Sequence, residues 1–263
     1  MTVRVGVFGA GGRMGSTVCR AVAADPGLEL VGAIDPLHAG LDLRHATGVD
    51  VPDLHIDPDP AHLVRNGVDV VVDFTVLEAS RRNLSWAAEH GVHAVTGTTG
   101  FGTDDHDAFR AAFTRSNCLI APNFAIGAVL MMRFAELAAP WFDSAEVIEL
   151  HHDRKVDAPS GTAMMTAQRM ADASDRWGDD PTKNEILPGA RGAAGPGGIH
   201  VHSVRLRGLI AHQEVLLGAA GQTLSIRHDS FDRDSFMPGV VLAVKQIADH
   251  PGLTVGLGTF LGI

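Results

Sequence analysis

The chain has 263 residues, 45% of them hydrophobic and 20% charged, which is enough apolar material to bury a core and too much for intrinsic disorder. Its 21 Lys and Arg stand against 31 Asp and Glu, a formal charge of −10, so general attraction to nucleic acid or to an anionic membrane is excluded and any anionic ligand needs a local basic pocket. There is no long apolar run, no leader-like start and no internal repeat, and Cys19 and Cys118 lack a paired spacing; membrane insertion, export, a disulfide framework and a cysteine zinc site lose support, and a reducing cytoplasm is expected.

Residues Val3–Phe8 are a β-branched apolar run, followed by a glycine-rich stretch and a helical pattern that stops before Asp25-Pro26-Gly27. A second apolar run, Leu28–Ile34, ends at Asp35-Pro36. This reads as a βαβ unit, which requires a right-handed crossover and a parallel sheet. Further strands are predicted at 68–74, 92–95 and 118–120, with helices near 77–90 and 104–115. The alternation predicts the α/β class: a doubly wound, Rossmann-type parallel sheet through residue 122, with ligands at the carboxyl ends of its strands.

After a helix near 127–139 the pattern changes. Strand-like segments at 145–151, 200–207, 214–219 and 222–228 alternate polar and apolar residues. They predict an inserted α+β domain over 123–235, built on a mixed, largely antiparallel sheet with one covered face. Residues 189–198, GARGAAGPGG, read as a mobile loop. An apolar helix over 236–248 and the short tail LTVGLGTFLGI are expected to rejoin the first domain, giving it 1–122 plus 236–263. Trp86, Trp141, Trp177 and the Met164-Met165 pair are expected in core or interface packing.

Gly9, Gly12 and Gly15 directly follow a strand and open a helix, where absent side chains let the backbone approach a pyrophosphate facing the helix N-terminus. The spacing is GxxGxxG, with Met14 where the standard GxGxxG pattern has its last glycine, so the strand-turn-helix context carries the signal. Asp35, 20 residues beyond Gly15, is placed to accept hydrogen bonds from an adenosine ribose. Its carboxylate repels a 2′-phosphate and Pro36 supplies no cation, which favours NADH; Arg13 can reach the phosphate region, which keeps NADPH open. Gly97, Thr98 and Thr99, then Ala121, Pro122, Asn123 and Phe124, follow two more strands. They are candidate contacts on the nicotinamide side, or else plain turns.

Residues 146–163, EVIELHHDRKVDAPSGTA, gather two His, an Arg, a Lys and several acids before a Pro-Ser-Gly-Thr helix start. In an extended strand His151 and His152 point to opposite faces, so one enters a given pocket and the other is structural. Ser160 or Thr162 caps the helix and leaves backbone N–H groups near Gly161 and Thr162 to hold a carboxylate, with the charge of Lys155 nearby; an ordinary capped helix after a surface charge run is the alternative. His200 and His202 share a strand face without a third ligand, so no metal is expected.

Together with GAGGRMG, VTGTTG, APNFAIG, HSVRLRG and RHDSFDRDSFMPGV, this stretch resembles the E-[IV]-x-E-x-H-x-x-x-K-x-D-x-P-S-G-T-A signature of the 4-hydroxy-tetrahydrodipicolinate reductase family of bacterial lysine and diaminopimelate synthesis. The resemblance extends over essentially the whole chain, with small departures such as Ala125 where Ser is common. It implies a homotetrameric cytoplasmic enzyme whose inserted sheet domain supplies the substrate site and the tetramer contacts. His151 and Lys155 then look like the acid catalysts, and His152, Ser160, Gly161 and Thr162 like substrate-binding residues. Gly9, Gly12, Arg13, Met14, Gly15, Asp35, Gly97 to Thr99 and Ala121 to Phe124 look like cofactor contacts.

The substrate so implied is a cyclic imine dicarboxylate that accepts a hydride from nicotinamide, loses water and needs an acid to protonate the enamine. Which of His151 and Lys155 gives that proton is left open, and hinges near 123–127 and 234–239 are expected. Two other readings stand beside this one: a different nicotinamide-dependent reductase on the same plan, and a non-catalytic nucleotide sensor.

Overall fold

The computed structural model describes residues 2–52 and 54–263. The chain divides into two units, Met1–Phe124 with Phe236–Ile263, and Ala125–Ser235.

In the first unit β1 (Val3–Phe8) and β2 (Leu28–Ile34) pair in parallel, Phe8 opposite Ile34, with α1 (Arg13–Ala24) as the crossover. α1 forms because Val18, Cys19 and Val22 make one apolar stripe, all fully buried. The chain continues through α2 (Leu43–Thr47), β3 (Ile56–Asp57), α3 (Ala61–Arg65), β4 (Val70–Asp73), α4 (Leu77–His90), β5 (His93–Thr96), α5 (Thr103–Ala112) and β6 (Cys118–Ile120). The predicted strands and the helix over 77–90 are all present. The elements α2, β3 and α3 were not predicted: each is too short for a periodic signal, and each is anchored by a buried residue, Leu43, Ile56 or Leu63.

The second unit holds α6 (Ile126–Ala138), β7 (Ser144–His151), α7 (Gly161–Ala173), β8 (Ala193–Ala194), β9 (His200–Arg205), β10 (Ala211–Ala219) and β11 (Gln222–Ser230). The chain then completes the first unit with α8 (Met237–Gln246), β12 (Leu253–Val255) and α9 (Gly258–Leu261). β12 pairs in parallel with β6, Leu253 opposite Cys118, so the tail rejoins the first sheet as an edge strand.

The first sheet has the order β12-β6-β5-β4-β1-β2-β3 and every pairing in it is parallel. The middles of its central strands are apolar because helices cover both faces: Val5, Val7, Val72, Ala94, Val95 and Leu119 have no exposure. The second sheet has the order β11-β10-β7-β9-β8, parallel only between β7 and β9. Along β7 burial alternates, Val147 and Glu149 inside and Ile148 and Leu150 half-buried, which is the signature of a sheet covered on one face.

One expectation needs correction. The 189–198 segment is not all loop: Ala193–Ala194 pair antiparallel with β9, and Pro196–Gly198 make a 3₁₀ turn. Gly and Pro composition hides such a strand, since its backbone bonds come from β9 and not from its own side chains. Trp141 is 77% exposed, and Met164 and Met165 lie on the open side of α7, so of the core or interface packing expected of them only an interface is left. Trp86 is half-buried, edge-on to Phe8 at 6.0 Å and stacked on His90 at 4.6 Å.

Cys19 and Cys118 are both free and buried. Burial pushes the Cys19 thiol up to about 12 and raises that of Cys118 as well, which makes both chemically inert near neutral pH. Among the described residues no helix is long and apolar enough to cross a membrane.

α4 and α5 are joined by a two-pronged ion pair, Arg81 Nε to Asp105 Oδ1 at 2.7 Å and Nη2 to Oδ2 at 2.9 Å. The hydrogen bond from Arg81 and one from the Gly102 N–H hold the Asp105 carboxyl down at about 2. A folded-state value below the ordinary carboxylate value means stabilisation that is complete above about pH 4 and is lost as pH falls towards about 2. Thermal melts across that acid range should therefore show a shallower loss of Tm in Arg81→Met than in the parent; superimposable acid limbs would show that the pair contributes nothing.

Candidate functional site

β1 runs straight into a turn at Gly9, whose φ of +74° lies in the left-handed region that favours glycine. The N–H groups of Gly9 and Ala10 donate to the Ile34 carbonyl at 2.7 and 3.2 Å, and that of Gly12 donates to the Gly9 carbonyl at 2.9 Å, so the turn is tied to the end of β2. Gly12 caps α1 with no side-chain hydrogen bond, and the first turn carries no acid. The start of α1 thus presents its first-turn amides, with the helix dipole behind them, as a place where an anion could bind. Gly15 packs directly on the turn, where a Cβ would lie 2.0 Å from the Gly9 oxygen.

The order of strands reverses between β1 and β4, the switch point at which doubly wound sheets bind ligands. Asp35, just past β2 and only 7% exposed, accepts from the Gly11 N–H at 3.1 Å and the Leu37 N–H at 3.0 Å, and lies 3.1 Å from His38 Nδ1. Its carboxylate therefore already holds the glycine turn in place.

Asp73, at the end of β4, is a residue the sequence reading missed. It is fully buried and accepts from Thr75 N–H (3.1 Å), Thr75 Oγ1 (2.9 Å), Asn83 Nδ2 (2.6 Å) and Thr98 Oγ1 (3.0 Å). The Thr98 hydroxyl is consequently turned inward, while Thr99 is exposed beside Gly97. Ala121 and Phe124 are buried, the latter leaning on Phe74 at 5.7 Å, so they offer only backbone to a ligand; Pro122 is exposed and Asn123 half-buried. All the predicted cofactor contacts thus sit at the carboxyl edge of one sheet.

In the second unit the predicted substrate residues share one polar network. Glu149 and His151 are two apart on β7 and face the same way. The β7 to β9 register sets Arg205 opposite His151. Glu149 has no exposure; Arg205 Nη1 and Nη2 reach its two oxygens at 2.9 and 2.8 Å, and the Ser160 N–H donates to it at 3.2 Å. His151 Nδ1 lies 2.5 Å from Glu149 Oε2. Ser160 caps α7, its hydroxyl accepting from Ala163 N–H at 3.2 Å. A Cβ built on Gly161 meets nothing within 4 Å, so the helix start at Gly161 and Thr162 opens onto free space.

Lys155 Nζ donates to both oxygens of Asp157, at 2.8 and 2.7 Å, and the Asp157 carbonyl accepts from Arg205 at 2.6 Å. His152 lies just past the strand and its Nδ1 accepts from the Arg154 N–H at 3.2 Å, which makes it a brace of its own loop. Burial lowers the His151 pKa, and the charges of Lys155 and Arg205 act in the same direction against Glu149. Burial alone would raise the Glu149 carboxyl, but hydrogen bonds from Arg205, Ser203 and His151 hold it below the usual range, so it is ionised. The two-residue spacing to His151 was the available signal for Glu149; nothing local signals Arg205, which arrives through strand register.

His200 and His202 are engaged elsewhere. Glu146 binds Arg191 at 2.7 Å and His202 Nε2 at 2.6 Å, and Arg191 also lies 2.8 Å from His200 Nδ1. Among the described residues no group of His, Cys, Asp or Glu is arranged to hold a metal ion.

Comparison with known proteins agrees across both units. Residues 3–124 match the family model described as dihydrodipicolinate reductase, N-terminus, and residues 127–261 the model for its C-terminus. The chain is 52% identical over 270 residues to a 4-hydroxy-tetrahydrodipicolinate reductase of Nocardia farcinica, covering 100% of both chains. It is 50% identical over 268 residues to the same-named protein of Cutibacterium acnes, covering 99% of each. A solved structure of a dipicolinate-bound dihydrodipicolinate reductase from Paenisporosarcina sp. TG-14 superposes with a TM-score of 0.87 at 39% identity, covering 98% of this chain and 99% of that one.

The contact at Gly15 can be tested by thermal denaturation. Gly15→Ala forces backbone against backbone and should cost about 1–3 kcal/mol. Gly12→Ala, where a Cβ would meet only the Gly9 oxygen at 3.2 Å, should cost clearly less; equal losses would mean that the turn relaxes freely.

Proposed function

The chain belongs to the dihydrodipicolinate reductase family, and on that premise we propose that it reduces 4-hydroxy-tetrahydrodipicolinate to tetrahydrodipicolinate, with loss of water, in the synthesis of diaminopimelate and lysine. The observation that carries this reading is the single connected scaffold of His151, Lys155 and the open start of α7. An imidazole, an ammonium and the backbone amides of a helix start are what a dicarboxylate that must also be protonated requires.

In this reading the Gly161 and Thr162 amides hold one substrate carboxylate, with Ser160 fixing the cap. Lys155 and His152 hold the other, Lys155 exchanging Asp157 for the ligand. Loss of the hydroxyl and reduction at ring C4 leave an enamine, which His151 or Lys155 protonates. The bound nicotinamide dinucleotide supplies the hydride.

The rest of the cofactor's handling falls to residues 1–122 plus 236–263 as the dinucleotide-binding domain. Gly9, Gly12, Arg13, Met14 and Gly15 fit a pyrophosphate because the start of α1 has no side-chain cap and no acid in its first turn. Residues 97–99 and 121–124 frame the nicotinamide. Asp35 favours a ribose with a free 2′-hydroxyl, hence NADH over NADPH. Residues 123–235 form the substrate and oligomerisation domain of a cytoplasmic homotetramer, in which the half-buried sheet face of Ile148, Leu150 and Leu216 meets another copy.

Two measurements test this. NADH oxidation, followed at 340 nm with the condensation product of pyruvate and aspartate semialdehyde, should proceed, and at a higher kcat/KM than with NADPH. Lys155→Ala should lower kcat by about 100-fold while NADH affinity stays within about twofold of the parent; unchanged turnover removes Lys155 from the chemistry.

A further inference from the structure

An ionised carboxylate without exposure is tolerated only where cation and hydrogen-bond donors meet it on every side. Glu149 meets that condition with Arg205 in a two-pronged pair, the Ser160 N–H and His151 Nδ1. Arg205 is itself placed by the register of β9 against β7 and braced by the carbonyls of Val204 and Asp157. The Glu149 side chain therefore has one orientation, and it presents Oε2 to the imidazole.

An ionised carboxylate can only accept, so the hydrogen of the His151 contact resides on Nδ1. In the neutral ring the lone pair then falls on Nε2, the nitrogen turned away from Glu149. We propose that Glu149, with Arg205 behind it, is a positioning residue. It fixes His151 as the Nδ1–H tautomer so that Nε2 alone exchanges a proton with the ligand. Through the Ser160 N–H it also holds the start of α7 in register with that nitrogen. Its consequence for turnover rests on the reductase reading above; the tautomer does not.

The two parts fit one chemical need. The ring takes up a proton from solvent at Nε2, passes it from the resulting imidazolium to the enamine of a dicarboxylate gripped at the start of α7 and returns to the neutral Nδ1–H form; its distance to that start is set by a single side chain. The Glu149 oxygens divide the work: Oε1 bonds Ser160 and Arg205 Nη2, Oε2 bonds His151 and Arg205 Nη1. Arg205 also offsets the charge of Glu149, so the ring is oriented without a bare anion holding it in the imidazolium form, and the proton taken up at Nε2 is readily released.

The test is histidine nitrogen NMR on the intact, ligand-free protein at about pH 8, where an unperturbed imidazole is neutral, with the His151 signal assigned from His151→Asn. The parent should show protonated Nδ1 and bare Nε2; a parent His151 with the proton on Nε2 overturns the proposal directly. Glu149→Gln leaves Arg205 buried without a counter-charge, so the pair Glu149→Gln/Arg205→Met accompanies it and removes both charges. In that double variant the tautomer preference should disappear. With the condensation product as substrate, kcat should fall about 100-fold while KM changes by less than about threefold. Arg205→Lys, which keeps the carboxylate ionised, should retain the tautomer and most of kcat. A double variant that keeps both the Nδ1–H form and parental kcat sinks the assignment. Absence of reductase activity in a parent that shows the expected tautomer would strike the functional reading alone.

Discussion

A buried carboxylate must be satisfied where it sits, and that requirement organises the candidate site in each unit. Asp73 closes β4 with no exposure and meets the requirement with neutral donors alone, drawing Thr75, Asn83 and Thr98 onto one side chain. Glu149 meets it with a full cation, Arg205, and uses the remaining lone pairs to hold His151 and Ser160. In both places the anion is costly in isolation and stabilising once surrounded, so loss of one partner would disturb all the others. Loops that face a ligand are thereby given fixed positions without being packed into the core.

The overall charge of −10 makes the handling of cations equally telling. Lys155 rests on Asp157, Arg205 on Glu149 and Arg191 on Glu146. None of these is a bare basic patch of the kind that gathers polyanions indiscriminately. A ligand that displaces Asp157 from Lys155 must offer a carboxylate of its own at the right distance, and that makes the paired resting state a source of selectivity. The start of α1, with no side-chain cap and no acid in its first turn, would in the proposed reading work by a different device, attracting an anion through backbone amides.

The sequence carried the architecture well where a physical pattern is long enough to read. Parallel strands covered on both faces become largely apolar runs, and so β1, β2, β4 and β6 were visible as such, with α1 and α4 between them. It failed where elements are held from outside. α2, β3 and α3 are each anchored by a buried apolar side chain, and β8 exists because β9 offers it partners. At the site, the motif over 146–163 announced His151, Lys155, Ser160, Gly161 and Thr162 as a group, yet it announced neither that Thr98 turns inward nor that Asp35 already serves its own turn.

From the amino acids alone came the fold class, the glycine turn with its acid at the end of the next strand, and the cationic stretch before a capped helix, because each is written in neighbouring residues whose spacing fixes which way they face. The partnership of Glu149 with Arg205, the state of the His151 ring and the hidden role of Asp73 were decided only by folding. Those depend on strand register and on which groups lose their water together, and both are properties of residues brought together from distant parts of the chain.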